Sequence, residues 1–430
     1  MGRDEREPRG RISSQRFCLA YELMFAVAVI AAVGVFAPPA HAGVNVWQKD
    51  DSYVDVGLLV QVQARAIEGN GAGTDSKTDS IFFRRLRPFF YGAFNKNWQG
   101  IIQMDFGDGY EGQDLKTSIK WAYMEYLGLE ENQQSSVKIG SFKPYFGREF
   151  LTLGPHLQTI ERTFTGIQWY GTPDYMMGLG FTRLTPDRKM SYGVTAGTMS
   201  INQRADRIWF QSPQNETNSN VNTGYLVSGR VDFYPFGEMP FNPKPLTANA
   251  FDRSDFHNTQ AWQVMMSVGG YGWWNNNNSL HGTTGTCLAG NNNVCPNGQS
   301  DVNQVYGVEA SSGLRGYGFS GDIEYQRIHS DLRNATFTGG LYSNGGTDLN
   351  KFTINGGYMI FRDKVELAGS YALMTASNFP SNWDSYRVGL NYFVHEYAIR
   401  FSTDVTFNVT AYGSDGATET VGRLQAQFAW

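Results

Sequence analysis

Hydrophobic and polar residues alternate one by one over long stretches of this chain. In residues 420–430, Leu424, Phe428 and Trp430 occupy one set of alternate positions, whereas Arg423 and the glutamines occupy the other. Because successive side chains of a β-strand point to opposite faces, this pattern predicts a strand with one apolar face and one wet face. A soluble sandwich strand also alternates, but a soluble protein rarely presents a wet face in every strand.

The alternation recurs along the chain in about sixteen segments of about ten residues each. This length is typical of a tilted strand that crosses the hydrocarbon core of a bilayer, for which roughly 9–11 residues are needed. Strands buried on both faces would instead be continuously apolar. The segments lie near 53–65, 82–94, 97–106, 118–129, 135–142, 176–185, 190–199, 223–234, 261–272, 303–312, 315–329, 351–361, 364–374, 385–394, 396–409 and 420–430.

The joints between these segments are alternately short and long. Short joints fall at 95–96, 130–134, 186–189, 313–314, 362–363 and 395. Long polar joints fall near 66–81, 107–117, 143–175, 200–222, 274–302, 330–350, 375–384 and 410–419. Short periplasmic turns and long extracellular loops are typical of outer-membrane barrels, so the sequence predicts an all-β fold, a transmembrane antiparallel β-barrel. The stretch 235–260 departs from this order, because it should be a short periplasmic turn and is long.

Aromatic residues lie near the ends of several predicted strands. Trp98, Trp121, Tyr392 and Phe428 are examples. Because amphipathic rings favour the boundary between hydrocarbon and water, we expect these side chains in interfacial girdles on the outer surface of the barrel.

The beginning of the chain has the features of a cleaved secretory signal. Arginines precede an apolar run at 23–36, and Ala-His-Ala follows at 40–42. A basic region, an apolar core and a small-x-small end together predict a signal peptide over residues 1–42 and a barrel domain over residues 43–430. The alternative is an uncleaved membrane anchor, for which the apolar core is short.

Bulk composition narrows the class of protein further. The mean hydropathy of −0.38 excludes a bundle of membrane helices, whereas 14% aromatic residues and 49 glycines suit many strands. Residues 1–42 contain five Arg and four acidic residues, so residues 43–430 carry 30 basic and 36 acidic residues and a net charge of −6. This balance argues against a nucleic-acid partner. It does not decide the selectivity of a pore, which depends on the lining.

No motif for catalysis or cofactor binding stands out in residues 43–430. The region has no Gly-rich phosphate loop and no His-Glu-x-x-His sequence. Its five histidines lie in no recognisable Ser- or Asp-bearing motif: His156, His257, His281, His329 and His395. We therefore expect no enzyme activity, no cofactor and no metal.

Two cysteines of the exported part lie close together in a Gly/Asn-rich stretch. They are Cys287 and Cys295. In an oxidising compartment such a pair predicts a disulfide within a loop. A metal site is the alternative, although only His281 lies nearby.

The densest basic cluster of the chain lies in the second predicted strand. Strict alternation places Arg85 and Arg87 on one face and Arg84 on the other, with Leu86 and Phe90 towards lipid. An Arg facing lipid costs about 2–4 kcal/mol at the bilayer midplane, so Arg85 and Arg87 are expected in the lumen and Arg84 near an interface. The lumen pair has two interpretations, a structural salt bridge with an inward acid such as Asp105 or an anion-attracting wall.

The third long loop, 143–175, is unusually apolar for an exposed segment. Exposed loops are normally polar, so this loop is expected to pack against something, and folding into the lumen as a constriction would provide that packing. A narrow mouth focuses the field of nearby cations. Clasping a neighbouring subunit is the alternative. In a constriction, Lys143, Arg148 and Arg162 would set anion preference, offset by Glu149 and Glu161.

Several motifs resemble the phosphate-selective porin O and P family. The resemblance covers roughly residues 53–170 and continues more weakly to the C-terminus. It implies a sixteen-stranded outer-membrane barrel, usually trimeric, with the third loop folded inward and anions guided by lumen Arg and Lys. The motifs are Arg84-Arg85-Leu86-Arg87, Asp105-Phe106, the strand from Trp121 to Tyr126, the run from Lys138 to Phe146, and Glu161-Arg162.

This chain departs from the rich basic lining of the well-studied family members, so the resemblance does not imply strict phosphate selectivity. The inward basic residues are scattered: Arg65, Arg85, Arg87, Lys138, Arg230, Arg387, Arg400 and Arg423. The inward acids that oppose them are Asp105, Asp232, Glu324, Glu366 and Asp404.

The sequence therefore favours a porin for passive diffusion of small anions, with phosphate or polyphosphate among the candidate solutes. Expected partners are small anionic solutes, outer-membrane lipids and two further copies in a homotrimer, with no nucleic acid. The alternatives are a general or weakly cation-selective porin, suggested by the net charge of −6, and a non-conducting structural or adhesive barrel, suggested by the long loops at 200–222 and 274–302.

Overall fold

The computed structural model describes the barrel and most of its connections. The described residues are 43–69, 78–107, 117–203, 205–213, 221–236, 254–256, 259–275 and 302–430. The predicted signal peptide and the predicted disulfide between Cys287 and Cys295 lie outside these residues. Among the described residues, no helix is both long and apolar enough to cross a bilayer.

The described residues form one antiparallel sheet that closes on itself. Sixteen strands, β2–β8 and β10–β18, follow one another around the barrel, and β18 pairs with β2. The short strands β1 and β9 pair with the ends of β2 and β8. The strands are β1 Val44–Lys49, β2 Ser52–Gly69, β3 Thr78–Asn95, β4 Trp98–Asp105, β5 Ser118–Tyr126, β6 Ser135–Phe142, β7 Met176–Leu184, β8 Met190–Gln203, β9 Ile208–Gln211, β10 Val221–Phe236, β11 Gln263–Asn275, β12 Val302–Gly316, β13 Phe319–Leu332, β14 Gly346–Phe361, β15 Val365–Thr375, β16 Trp383–His395, β17 Ile399–Val409 and β18 Thr418–Ala429.

Every one of the sixteen predicted segments corresponds to a barrel strand. Alternation along β13 shows why: Phe319, Ile323 and Tyr325 are exposed on the outer surface, whereas Asp322 and Glu324 are buried inside. The apolar side chains of the outer face contact lipid, and the polar side chains of the inner face line the lumen. Because each of the sixteen barrel strands pairs with a neighbour on both sides, the described part of the wall has no unpaired strand edge facing lipid.

The last strand closes the barrel as its sequence predicts. The backbone of Trp430 both donates to and accepts from Leu58, with N–O distances of 3.1 and 2.9 Å. Arg423 lies directly opposite Arg65 in the β18–β2 register. The Arg423 guanidinium bonds the Asp404 carboxylate on β17 at 3.1 Å, so this member of the facing pair is neutralised by an acid on the adjacent strand.

One predicted turn is wrong. Residues 313–314 continue β12, and the chain reverses instead at Tyr317 and Gly318, whose φ angles are 55° and 78°. Two residues with positive φ form the kind of tight turn whose twist matches that of an antiparallel hairpin. Gly313 misled the prediction because glycine favours turns, but here Leu314 points outwards towards lipid and Gly313 remains in the strand.

The long joint between β10 and β11 is a genuine extended inner turn, since β10 ends at Phe236 and β11 begins at Gln263. Part of it lies against the inner ends of β15–β17. The ring centroid of Phe256 lies 4.7 Å from that of Tyr397, and Ser254 Oγ donates to the Glu366 carboxylate at 3.0 Å.

The lumen contains an apolar core of its own. Phe210, Tyr271 and Trp273 point inwards from β9 and β11 and are almost fully buried. Phe146, which follows β6, packs edge-on against Tyr271 with a centroid distance of 4.7 Å. A water-filled tube would leave such side chains wet, so their burial shows that polypeptide occupies this part of the interior.

Candidate functional site: the third loop inside the barrel

The segment 143–175 connects β6 to β7 and crosses the lumen. It contains a short helix, α1 (Arg148–Leu151), and a 3₁₀ turn at Gly154–His156. A second 3₁₀ turn, Ala411–Gly413, lies in another loop. The segment bonds inward-facing groups on strands far around the barrel. These bonds include Arg148 Nε to Asp322 at 2.6 Å, Glu149 N to Glu324 at 2.8 Å, Gln158 Nε2 to Glu366 at 2.9 Å and Ile160 N to Asp404 at 3.0 Å.

Several inward cations of the wall hold the backbone of this loop. Arg400 Nη1 donates to the Leu157 carbonyl at 2.5 Å, and Lys351 Nζ donates to the Tyr170 carbonyl at 2.9 Å. Arg387 donates to Thr159 Oγ1 at 3.1 Å and to the carbonyl of Glu161. Buried carbonyls need donors, so these cations satisfy loop backbone. The sequence placed Arg387 and Arg400 in the lumen but gave no sign that they support a loop.

A β-bulge places all three arginines of the basic cluster inside the barrel. Gln61 pairs with Arg85 and Val62 pairs with Phe83, so Arg84 is the extra residue on β3. The expectation that Arg84 lies on the opposite face near an interface is therefore wrong. A bulge sets two consecutive side chains on one face, which strict alternation does not allow.

Arg84 ties the wall to the loop. Its Nε and Nη2 bond both carboxylate oxygens of Glu161, at 2.5 and 2.9 Å. Burial acts to raise the pKa of Glu161, but the charge and hydrogen bonds of Arg84, together with the charges of Arg85 and Arg423, outweigh burial and lower this pKa to about 2. The two parallel bonds fix geometry as well as charge.

Arg85 lies beneath the loop and is almost completely buried. It donates to the Gln61 side chain, and its guanidinium passes directly under Gly154. A Cβ on residue 154 would lie 2.8 Å from Arg85 Cζ, so a larger residue there would force the Arg85 guanidinium to move.

Two predicted site residues on the strands are ion-paired. Arg87 bonds Asp105 at 2.7 Å, which is the structural salt bridge considered from the sequence. Lys138 lies 3.4 Å from the Glu125 carboxylate and over the ring of Tyr123. Both side chains keep a small exposed fraction of 14%.

The three predicted loop cations differ in their partners. Arg148 is buried and paired with Asp322, so it anchors α1 to the wall. Lys143 donates to the Phe150 carbonyl at 2.5 Å, and Arg162 donates to the Thr152 carbonyl at 2.7 Å. In the part of the chain that the structure describes, neither has a carboxylate within 4.0 Å.

Crowding of positive charge affects Lys143. Burial, followed by the charges of Arg162 and Arg87, lowers the pKa of the Lys143 ammonium well below its ordinary value. An anion beside this lysine would oppose all of these effects, because opposite charge favours the protonated form.

Sequence reasoning missed Lys120 and misplaced Trp121. A second bulge falls on β5, where Gln103 pairs with Trp121 and Met104 pairs with Ile119. Trp121 therefore points inwards against Tyr123 and Tyr175, with centroid distances of 5.7 and 5.4 Å, rather than into an interfacial girdle. The only available signal was a Lys-Trp pair that interrupts the alternation.

The cationic and the carboxylate side chains named next, all around the loop, differ in their exposure. Arg84, Arg87, Lys120 and Arg162 are partly exposed. The carboxylates of Asp105, Glu149 and Glu161 are buried. Asp174 is a partly exposed exception, and burial raises the pKa of its carboxyl. Within the described ranges, no group of three or more His, Cys, Asp or Glu side chains is arranged to hold a metal ion.

Solved structures share this fold. The outer membrane channel DcaP of Acinetobacter baumannii matches with a TM-score of 0.54 at 10% identity, covering 91% of this chain and 100% of that chain. OmpF of Salmonella typhi, in complex with daunomycin, gives 0.53 at 12% identity, covering 90% and 100%. An anion-selective porin from Comamonas acidovorans gives 0.50 at 9% identity, covering 88% and 100%. At these identities the likeness shows the fold alone.

Sequence comparison identifies the family. No curated protein sequence matches the chain. A family model described as phosphate-selective porin O and P matches residues 54–430, which includes every barrel strand except the first two residues of β2. Together with the closed barrel, this match shows an outer-membrane channel: the chain belongs to the phosphate-selective porin O and P family.

Proposed function

We propose that this porin is a passive channel for small anions, in which the third loop forms the constriction. One observation carries the proposal: around the loop, partly exposed side chains are mainly cationic, whereas most nearby carboxylates are buried. A permeating ion responds to charges that reach the water, so such a lining attracts anions. The net charge of −6 outside the predicted signal peptide does not oppose this, since it sums the whole surface.

The position of the loop supports a constriction. The segment contacts β3 through Arg84 and β13 through Asp322, and these two strands lie on nearly opposite sides of the sixteen-stranded barrel. On β9 and β11 the apolar core further reduces the space. The partly exposed basic side chains of β3 and β5 are where we propose that the solute passes. The family name and the anion-selective porin of Comamonas acidovorans are consistent with this proposal.

Ion selectivity in planar lipid bilayers tests the proposal. Under a gradient of potassium chloride, the reversal potential should have the sign of chloride preference. A preference for potassium would contradict the anion proposal while leaving the channel intact.

Matched variants locate the selectivity. Arg162→Gln and Lys120→Gln should each reduce chloride preference, because each removes a partly exposed lumen charge. Arg327→Gln is the control: Arg327 faces outwards from β13 with a side-chain exposure of 59%, and the same change there should leave selectivity unaltered.

A non-conducting barrel remains the second candidate, and the apolar core inside the lumen favours it. Well-folded protein that gives no conductance in the same bilayers would support it against the channel.

We also propose a homotrimer. Trimeric forms are known among the structural neighbours, as in OmpT of Vibrio cholerae. Light scattering of the detergent-extracted protein should give three copies per particle, and a monomer mass would refute this assembly.

A further inference from the structure

We propose that the basic site at the root of the third loop binds organic anions with a flat apolar body, of the aromatic carboxylate class, more tightly than inorganic phosphate. The proposal rests on the anion channel argued above and specifies its solute. The site consists of Lys120 and Trp121 on β5, and of Lys143, Phe150, Arg162 and Tyr175 in the loop.

Tyr175 is the centre of one half of the site. The ring of Trp121 meets it edge-on, with a centroid distance of 5.4 Å and an interplanar angle of 86°. Lys120 Nζ lies 5.8 Å from the centroid of the Tyr175 ring, and Lys143 Nζ lies 5.9 Å from it. Two cations and a tryptophan therefore surround one aromatic ring.

Phe150 is the centre of the other half. Lys143 Nζ lies 4.4 Å from the centroid of this ring, and Arg162 Cζ lies 6.0 Å from it. Lys143 thus belongs to both halves and joins them into one site that extends from β5 to α1. Rings of this kind attract cations through their electron-rich faces and hold them in place.

The site carries excess positive charge. Among the described residues, no carboxylate lies within 4.0 Å of Lys120, Lys143 or Arg162. Asp174 acts electrostatically on all three cations, Asp105 acts on Lys120, and Glu149 acts on Arg162. Asp105 is already paired with Arg87, and Glu149 accepts hydrogen bonds from Thr163 and Thr165, so within the described chain the site cations retain no direct carboxylate partner and could bind a carboxylate on a solute.

The hydrogen-bond donors of the site are partly committed. Lys143 donates to the Phe150 carbonyl, and Arg162 donates to the Thr152 and Glu149 carbonyls at 2.7 and 3.2 Å. Phosphate is strongly hydrated, and it must regain several hydrogen bonds when it leaves water. Two of the three cations are thus partly held by loop carbonyls, and the partly exposed ring of Trp121 offers phosphate no hydrogen bond in exchange for its hydration.

An aromatic carboxylate fits the same features better. Its single charge needs fewer donors, and its ring can pack on Trp121, which is partly exposed towards the lumen. Binding sites for organic ligands combine apolar and aromatic walls with a small number of placed polar groups. An aromatic contact contributes enough to change affinity by about tenfold.

Block of the chloride current tests this in bilayers containing the full-length protein. Benzoate should reduce the current at a concentration about tenfold lower than phosphate does. Trp121→Ala should raise the benzoate concentration for half-block by about tenfold and leave phosphate block unchanged. Trp98→Ala is the control, because Trp98 is exposed on the outer surface next to Tyr126, and block should remain as in the unaltered protein.

Trp121→Leu keeps bulk without an aromatic ring and replaces Trp121→Ala if that variant does not fold. Phosphate block at an equal or lower concentration than benzoate would overturn the inference, as would benzoate block unaffected by either Trp121 change. Those results would contradict the aromatic-carboxylate site but not anion selectivity. A potassium-selective reversal potential would instead contradict the proposed anion channel itself.

Discussion

At the scale of single residues, the Arg84–Glu161 pair connects the barrel wall to the loop that crosses it. The pair is largely buried, with side-chain exposures of 16% and 7%. Removal of one member of a buried pair leaves the other charge without compensation, which is far more costly than removal of both.

A double-mutant cycle should show this asymmetry. Arg84→Met should lower the free energy of unfolding by about 3 kcal/mol. Adding Glu161→Gln to this variant should recover most of the loss, because no unpaired carboxylate remains. Urea unfolding of the protein in lipid vesicles provides the measurement, and additive losses would show that the two side chains are not coupled.

The depressed pKa of Glu161 predicts a pH dependence. Its folded pKa of about 2 lies below the ordinary value of 4.5, so the carboxylate stabilises the folded protein above about pH 4.5 and loses this effect as the pH falls towards 2. The difference in unfolding free energy between the unaltered protein and Glu161→Gln should therefore stay constant near neutral pH and shrink over that acidic range. A difference that grows on acidification would contradict the pairing.

Lys143 and Arg148 should respond differently to charge reversal. Lys143→Glu should lower chloride preference in bilayers, because Lys143, although buried, has no carboxylate within 4.0 Å among the described residues to cancel its field, and the new carboxylate would lie beside the partly exposed Arg162. Arg148→Glu should mainly destabilise the barrel, because it places a new carboxylate beside Asp322 and Glu324. Equal selectivity changes in two equally stable variants would argue against this division of roles.

Alternation predicted which way most residues face, and it failed at Arg84 and Trp121 for the same reason. A bulge adds one residue to one strand, and its position depends on pairing with the neighbouring strand. The residues of a single strand do not show which residues of the neighbouring strand will lie opposite them. The cation clusters were therefore visible, but their joint orientation and Lys120 were not.

At the scale of elements, the strands were predictable because each must satisfy lipid outside and polar groups inside. Turns were less predictable than strands, because glycine occurs both in turns and at positions where strands pack closely. Gly313 lies within β12, while Gly318 occupies the turn with a φ of 78°. The partners of the third loop were not predictable, because they come from strands distant in the chain.

The β12–β13 turn offers a direct test. Gly318→Ala should lower the free energy of unfolding by about 1 kcal/mol, since a side chain disfavours positive φ. Gly321→Ala is the control: it lies in β13, where a Cβ would meet its nearest atom at 3.9 Å. The midpoint of urea unfolding distinguishes the two, and equal effects would refute the turn geometry.

At the scale of the whole barrel, closure depends on the last residues of the chain. Phe428 and Ala429 pair with Val60 and Leu59, and Trp430 exchanges backbone bonds with Leu58. Deletion of residues 428–430 should leave the inner end of the β18–β2 seam unpaired, at a high cost in the absence of water.

The truncated protein should give little of the compact, heat-modifiable form on gel electrophoresis after refolding into lipid. The double substitution Phe428→Ala with Trp430→Ala is the control, since it keeps the backbone bonds and should fold better than the deletion. Equal yields from both would show that side chains, rather than seam hydrogen bonds, decide closure.

The apolar core inside the lumen also implies an order of assembly. The apolar side chains of the outer surface contact lipid as soon as the wall closes. Tyr271 and Trp273 belong to a cluster that also needs Phe146, and Phe146 is part of the third loop. We therefore expect a newly inserted barrel to pass through a stage with a wider, wetter bore. Refolding into dye-loaded vesicles should show leakage that first rises and then falls. On this expectation the final bore is set after insertion, when the interior folds within a wall that already spans the membrane, and leakage that never exceeds its final level would contradict it.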